Sequence, residues 1–406
     1  MIVKQKILNI NFWLSLAIII NIYGLFLQEI TKVDSFLFLV PPLLVTIVNW
    51  GYKKKIINNF TLTTICFVLF FIPFLQNIIF GISMGRIKYI IYIGFFYLIV
   101  PLLNKKSWYW IKGSLILVGV LLNLDALIHI PEILSSGLRI FNIKGLLILD
   151  KPIYSMVLTL TISFLLVEIA LKKNKYVFLS WSYIGISLFV NIFFLQSKSS
   201  ILCLITALAV FYLNASRKIR RRIIFLIVFS SVLLFLFSYF FPQYIPEYIK
   251  AFFYKVIGNS GNQVYDRYNL TFDHRKIIRE FALGLFWKNP ILGVGFGNYS
   301  FYAIQNLPGF ATQTESSFLN VFIEGGVIYG LGYITLNLYL FCELFLKRKK
   351  MLRQSGYIYI EMMLMILLIF IFNFQNDYIN FCYWILMAII TSYVLYPDKY
   401  KMGGYK

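Results

Sequence analysis

Residues 60–82 read FTLTTICFVLFFIPFLQNIIFGI, twenty-three positions without one charged side chain. The hydrocarbon of a bilayer is about 30 Å thick, and about 20 apolar residues in a helix cross it. Working outward, comparable runs lie at 10–28, 34–50, 87–103, 111–130, 152–171, 177–195, 199–213, 223–241, 318–346, 357–375 and 378–396. They predict an all-α polytopic membrane protein with about twelve transmembrane helices, of which 34–50 and 199–213 are short. Composition agrees: 60% of the 406 residues are hydrophobic and only 13% charged, with a mean hydropathy of +0.78. A soluble chain carries about 25% charged residues, so this one cannot cover itself for water.

The formal charge of +22 and the run Arg217-Lys218-Ile219-Arg220-Arg221-Arg222 invite a nucleic-acid reading. Membrane topology explains them better, because basic residues collect in cytoplasmic loops. With the N-terminus inside, alternate loops hold Lys4 and Lys6, Lys53–Lys55, Lys105, Lys106 and Lys112, Lys172–Lys175, Arg217–Arg222, Lys347–Arg353 and the C-terminal lysines. These are 24 of the 38 basic residues. Both termini are therefore predicted to be cytoplasmic, and no nucleic-acid partner is implied. The chain divides into helices 1–9 over 1–241, a large outer loop over 242–317, and helices 10–12 with a cytoplasmic tail over 318–406. The first run lacks a following small-residue cleavage site and is kept as a span. Cys66, Cys203, Cys342 and Cys382 all fall inside predicted spans and read as packing residues.

An outer loop of about 75 residues is far longer than an ordinary connection, and such loops carry function. Within it, 246–256 has the pattern of an aromatic interfacial helix. Asp273 is the expected N-cap of a helix running to about Trp287 and stopped by Asn289-Pro290. Arg275 and Arg279 stand four apart there and share a face. Arg139, Lys198, Arg275 and Arg279 oppose the positive-inside tendency, and several fixed cations are what phosphate or diphosphate recognition needs. Solvated charge or headgroup contact is the plain alternative. His274 fits substrate contact or simple exposure. Glu315, where the chain re-enters the membrane, fits a general base at a hydroxyl or a helix-capping partner. Asp125 and His129, one turn apart near the outer end of a span, read as a locally satisfied pair. Glu168 and Glu343 beside lysines read as structural. The glycines at 293–297 lack the strand and helix of a nucleotide fingerprint, so a backbone turn approaching substrate or the membrane surface is expected.

The stretch from Arg275 through Phe281-Ala282 and Trp287-Lys288-Asn289-Pro290-Ile291-Leu292-Gly293-Val294-Gly295-Phe296-Gly297-Asn298-Tyr299 resembles the loop of the O-antigen ligase and polymerase superfamily. So do Thr314-Glu315-Ser316-Ser317-Phe318-Leu319, Glu324-Gly325-Gly326 and Gly330, with Ser197-Lys198-Ser199-Ser200 and Arg139 upstream. The resemblance implies an inverting, metal-independent membrane glycosyltransferase of the GT-C type. It would move a glycan carried on undecaprenyl diphosphate, at the outer leaflet of a bacterial cytoplasmic membrane, to a sugar hydroxyl. Donor and acceptor are then both lipid-linked oligosaccharides, no cofactor is needed, and a chain-length regulator is an expected partner. Arg275, Arg279 and Glu315 become the catalytic candidates, and Arg139, Lys198 and His274 the substrate-binding ones. Ligases of the superfamily commonly carry a histidine where this chain has Glu315, which favours a polymerase. A ligase of the same chemistry, or a flippase for the same lipid, is the alternative.

Overall fold

The computed structural model describes residues 9–23, 39–53, 57, 59–129, 151–171, 177–191, 198–214, 220–221, 224, 232, 263–307, 314, 316–375 and 381–401. These form helices with no strand among them. In chain order they are α1 (Ile10–Ile22), α2 (Val40–Lys53), α3 (Phe60–Phe80), α4 (Met84–Ile99), α5 (Lys105–Ile128), α6 (Lys151–Leu171), α7 (Val177–Phe189) and α8 (Lys198–Asn214). There follow α9 (Gln263–Lys288), α10 (Tyr299–Asn306), α11 (Ser317–Leu346), α12 (Arg348–Ser355), α13 (Tyr357–Gln375) and α14 (Phe381–Leu395). Every predicted run except 223–241, which falls almost wholly outside the described residues, coincides with one of these helices. Five of the helices are long and apolar enough to cross a membrane, and six shorter ones are apolar.

The apolar surface points the same way. α3 buries Leu62, Ile65, Cys66, Leu69 and Ile72 against the bundle, yet Phe67, Phe70, Phe71, Phe74 and Ile78 on its other side are exposed. A helix greasy on both faces and bare on one is solvated by lipid. The chain is an all-α polytopic membrane protein.

Hydrogen bonds sort the helix ends into two groups. At one end the Tyr154 hydroxyl donates to the Leu122 carbonyl and the Ser155 and Ser200 hydroxyls bond each other. Asn123 Nδ2 donates to Ser187 Oγ (2.6 Å), Cys382 N to Asn21 Oδ1 (3.0 Å), and Ser316 Oγ to the Asn373 carbonyl (3.3 Å). That end gathers the C-termini of α1, α5, α7 and α13 with the N-termini of α6, α8, α11 and α14. At the opposite end Ser107 Oγ donates to Asn11 Oδ1 (2.7 Å) and Lys399 Nζ to the Pro101 carbonyl (2.7 Å). The lysines of 105–106, the basic α12 and the lysines of 399–401 collect there, as their assignment to one side of the membrane requires.

One ionic cluster lies inside the bundle at this basic end. Lys112 Nζ reaches Glu168 Oε1 at 2.7 Å and Glu361 Oε1 at 2.8 Å, while Trp108 Nε1 donates to Glu361 Oε2 at 2.7 Å. Lys112 was assigned to a loop from its charge, but it is buried two turns into the body of α5. Its partners make that position tenable: the cluster ties α5, α6 and α13 at a single point. Glu343, as expected, pairs with Lys347.

Candidate functional site

α9 begins ten residues before Asp273, so Asp273 lies inside the helix rather than capping it. Ile278, Ala282 and Leu285 are buried along one face of the helix, and Ala282 and Leu285 pack with Val294, Tyr299, Ala303 and Ile323. That contact fixes α9 on the first half of α11. Arg275 and Arg279 flank the packed face and are exposed. Lys276 and Glu280 form a long, exposed pair at 3.9 Å, worth little in water.

After Lys288 the chain turns at Asn289-Pro290 and drops into a break in α11. At the break Gly326 takes φ 72° and ψ −179°, backbone that only glycine adopts without strain. The incoming turn restores the hydrogen bonds the break removes. Val294 N donates to the Ile323 carbonyl (2.8 Å), Gly295 N to the Glu324 carbonyl (3.0 Å), and Val327 N to the Pro290 carbonyl (2.8 Å). Contact is backbone to backbone: a Cβ on Gly293 would stand 2.5 Å from the Glu324 carbonyl and from Gly326 N.

Two buried side chains lock the socket. Gln76, in the apolar α3, donates through Nε2 to the carbonyls of Leu292 (2.5 Å) and Glu324 (2.7 Å) and accepts from Phe296 N (3.3 Å). The Glu324 carboxylate, 4% exposed, accepts from Gly297 N (3.0 Å) and Tyr299 N (3.1 Å) at the start of α10, where a helix favours negative charge. Phe296 stacks on Tyr89 of α4, ring centres 4.1 Å apart. Gly293 N and Asn298 N are also satisfied, by the carbonyls of Asn289 and Gly295. Every amide from Gly293 to Tyr299 therefore donates to a protein oxygen. The turn approaches α11 and α4, and has no amide left for a phosphate.

Residues 183–335 match the O-antigen ligase family. The chain carries an O-antigen ligase-family domain. No curated protein matches the chain. The domain takes in most of α7, all of α8, α9 and α10, the glycine turn, and α11 past its break. Its socket, however, is closed by Gln76 and Tyr89, which precede the domain.

The predicted site residues fall unevenly on the structure around the O-antigen ligase-family domain. Arg275 and Arg279 share α9 with His274, and Lys198 is the first residue of α8; the side chains of Lys198 and His274 are outside the described set, as are Arg139 and Glu315 altogether. Glu315 is flanked by Thr314, buried, and by Ser316, whose side chain accepts from Leu319 N as the N-cap of α11. The N-cap of α11 is Ser316, and both roles weighed for Glu315 lie outside the described residues. Asp125 and His129 are the local pair expected, Nδ1 lying 2.8 Å from the Asp125 carbonyl and 3.7 Å from Oδ1. Among the described residues no three His, Cys, Asp or Glu side chains gather as metal ligands do.

Two residues escaped the sequence reading. Gln76 was visible as a lone amide in an apolar run, but its partners lie more than 200 positions away. Arg86 carries the signal that singled out Lys198, a cation on the side of the membrane that loop alternation makes external. It is only 3% exposed.

Proposed function

We propose that the protein is a polysaccharide repeat-unit polymerase of a bacterial cytoplasmic membrane, with about twelve spans of GT-C type and both termini in the cytoplasm. The observation that carries the reading is an O-antigen ligase-family domain whose arginine-bearing α9 is docked on α11, the helix that begins two residues after Glu315. The proposed substrate is a glycan on undecaprenyl diphosphate at the outer leaflet. The hydroxyl of an acceptor unit attacks C1 of the donor sugar, the C1–O bond to the diphosphate breaks, and the anomeric centre inverts. Glu315 takes the hydroxyl proton. The bonding pair leaves with the lipid diphosphate, whose charge meets Arg275 and Arg279, with Arg139, Lys198 and His274 as further contacts. The diphosphate is already an activated leaving group, so the step needs no nucleotide. A chain-length regulator fits as a partner.

Purified protein given its own lipid-linked repeat unit, without added nucleotide, is expected to produce a ladder of longer lipid-linked glycans. Arg275→Ala removes a cation that acts on the developing leaving group and should slow the ladder by about 10²–10³-fold. Glu315→Ala should slow it by about 10²–10⁴-fold, the usual weight of a positioned base. Folded protein that leaves the unit unextended, but transfers it to a different acceptor, is a ligase; one that only moves it between leaflets is a transporter. Glu315 in place of the ligases' common histidine is what favours the polymerase.

A further inference from the structure

Arg86 opens the first turn of α4, and its surroundings are built around a guanidinium. One terminal nitrogen, Nη1, donates to the Gly81 carbonyl, which ends α3. The Phe80 ring lies 5.9 Å from the guanidinium carbon. On the other side lies the glycine turn: a Cβ on Gly295 would sit 3.2 Å from Nε and 3.3 Å from Nη2 of Arg86. At Gly85 a Cβ would stand 2.8 Å from the Phe296 carbonyl. The small residues of both segments thus bring α4 and the turn close together, with the guanidinium beside the seam.

Among the described residues, no opposite charge answers this group. Arginine does not lose its proton in a protein. Among the described residues no carboxylate pairs with Arg86, and its Nε is buried with no acceptor. Glu324, whose carboxylate lies in the socket, holds the amides of Gly297 and Tyr299. A buried cation without a counter-charge, and a buried donor without an acceptor, both oppose folding. An ionisable group that persists in this state in a membrane helix is by default a functional candidate. The amides of the turn are consumed, so among the described residues the pull on an anion here comes from the guanidinium. Its Nε and Nη2 form the side-by-side donor pair that grips two oxygens of one phosphate.

We propose that Arg86 binds a lipid-borne phosphate through Nε and Nη2 at the seam between α4 and the glycine turn. Identifying that phosphate with the undecaprenyl diphosphate of the substrate rests on the polymerase reading; the phosphate of an anionic headgroup has the same chemistry. In the first case Arg86 belongs to the leaving-group site, contributed from outside the O-antigen ligase-family domain.

The test uses full-length protein in detergent, as the parent chain, Arg86→Gln and Arg86→Lys. Each is titrated with sugar-free undecaprenyl diphosphate and, separately, with phosphatidylglycerol, following affinity and the thermal midpoint. Arg86→Gln is expected to weaken undecaprenyl diphosphate binding about tenfold, one charge-assisted bond's worth, with Arg86→Lys between it and the parent. Without lipid, Arg86→Gln should melt no lower than the parent, since it removes an unanswered charge, and it should gain less stability on adding lipid. A loss confined to phosphatidylglycerol keeps the phosphate site but makes its occupant a headgroup. Arg86-dependent phosphate binding by a protein that builds no ladder leaves this inference standing and sinks the polymerase. Equal binding of both lipids by Arg86→Gln and the parent, or a lower lipid-free midpoint with unchanged affinity, overturns the inference and makes Arg86 a strut.

Discussion

Lys112→Met is expected to destabilise the protein by about 3–5 kcal/mol, the usual cost of removing one partner from a buried ionic cluster. The methionine fills nearly the same volume, so packing changes little and the loss is electrostatic. It leaves Glu168 and Glu361 facing each other where an ammonium stood 2.7 and 2.8 Å away. Glu361 is fully buried and cannot turn to water, while the Glu168 side chain keeps 16% exposure. The damage should therefore depend on Glu361. The double variant Lys112→Met, Glu361→Gln retains an amide oxygen for Trp108 Nε1 and discards the stranded charge, so it should recover most of the loss. Thermal unfolding in detergent of the parent, the single and the double variants decides this. A single variant that melts with the parent would mean that water or another cation already neutralises the carboxylates. A double variant no better than the single would place the cost in packing instead.

The same cluster shows what a sequence yields and what it withholds. The charge-free runs carried the helices, because crossing hydrocarbon leaves a residue-by-residue imprint. Lys112 left a misleading one: as a lysine near other lysines it looked like loop charge, and only the carboxylates of α6 and α13 explain its burial. α9 failed differently. It is polar along most of its length and carries no long apolar run, so the capping preference of Asp273 was read as a boundary although the helix starts at Gln263. Arg275 and Arg279 were legible as an exposed pair because helical spacing is local. The socket was not. Nothing near Glu324-Gly325-Gly326 says that the helix breaks there, since the break exists only where 290–295 arrive to fill it.

Gly326→Ala is expected to be the most damaging single methyl group in the chain. Its φ of 72° with ψ near 180° is a region that costs a residue with a side chain of order 1–3 kcal/mol. The added Cβ would also run into the Ile291 carbonyl and come within 2.7 Å of Gly293 N, both backbone atoms that cannot rotate aside. Overpacking of that kind costs about 1–3 kcal/mol more. Two relaxations are open. α11 can straighten, or the turn can leave, and either one breaks the bonds from Val294, Gly295 and Val327 that join them. Gln76 and Glu324 then lose their partners too, so the failure spreads along the α3–α11–α9 contact and frees the helix that carries Arg275 and Arg279. Gly332→Ala on the same helix is the control: its Cβ would meet the side chains of Leu69, at 3.3 Å, and Val68, at 3.5 Å, and a few tenths of an ångström of movement accommodates it. Hydrogen exchange of peptides covering 289–299 reads the outcome without any assay of activity. Gly326→Ala should strip their protection and lower the thermal midpoint, whereas Gly332→Ala should leave both near the parent. If Gly326→Ala keeps that protection, the turn is held by its side chains and the backbone socket is incidental to it.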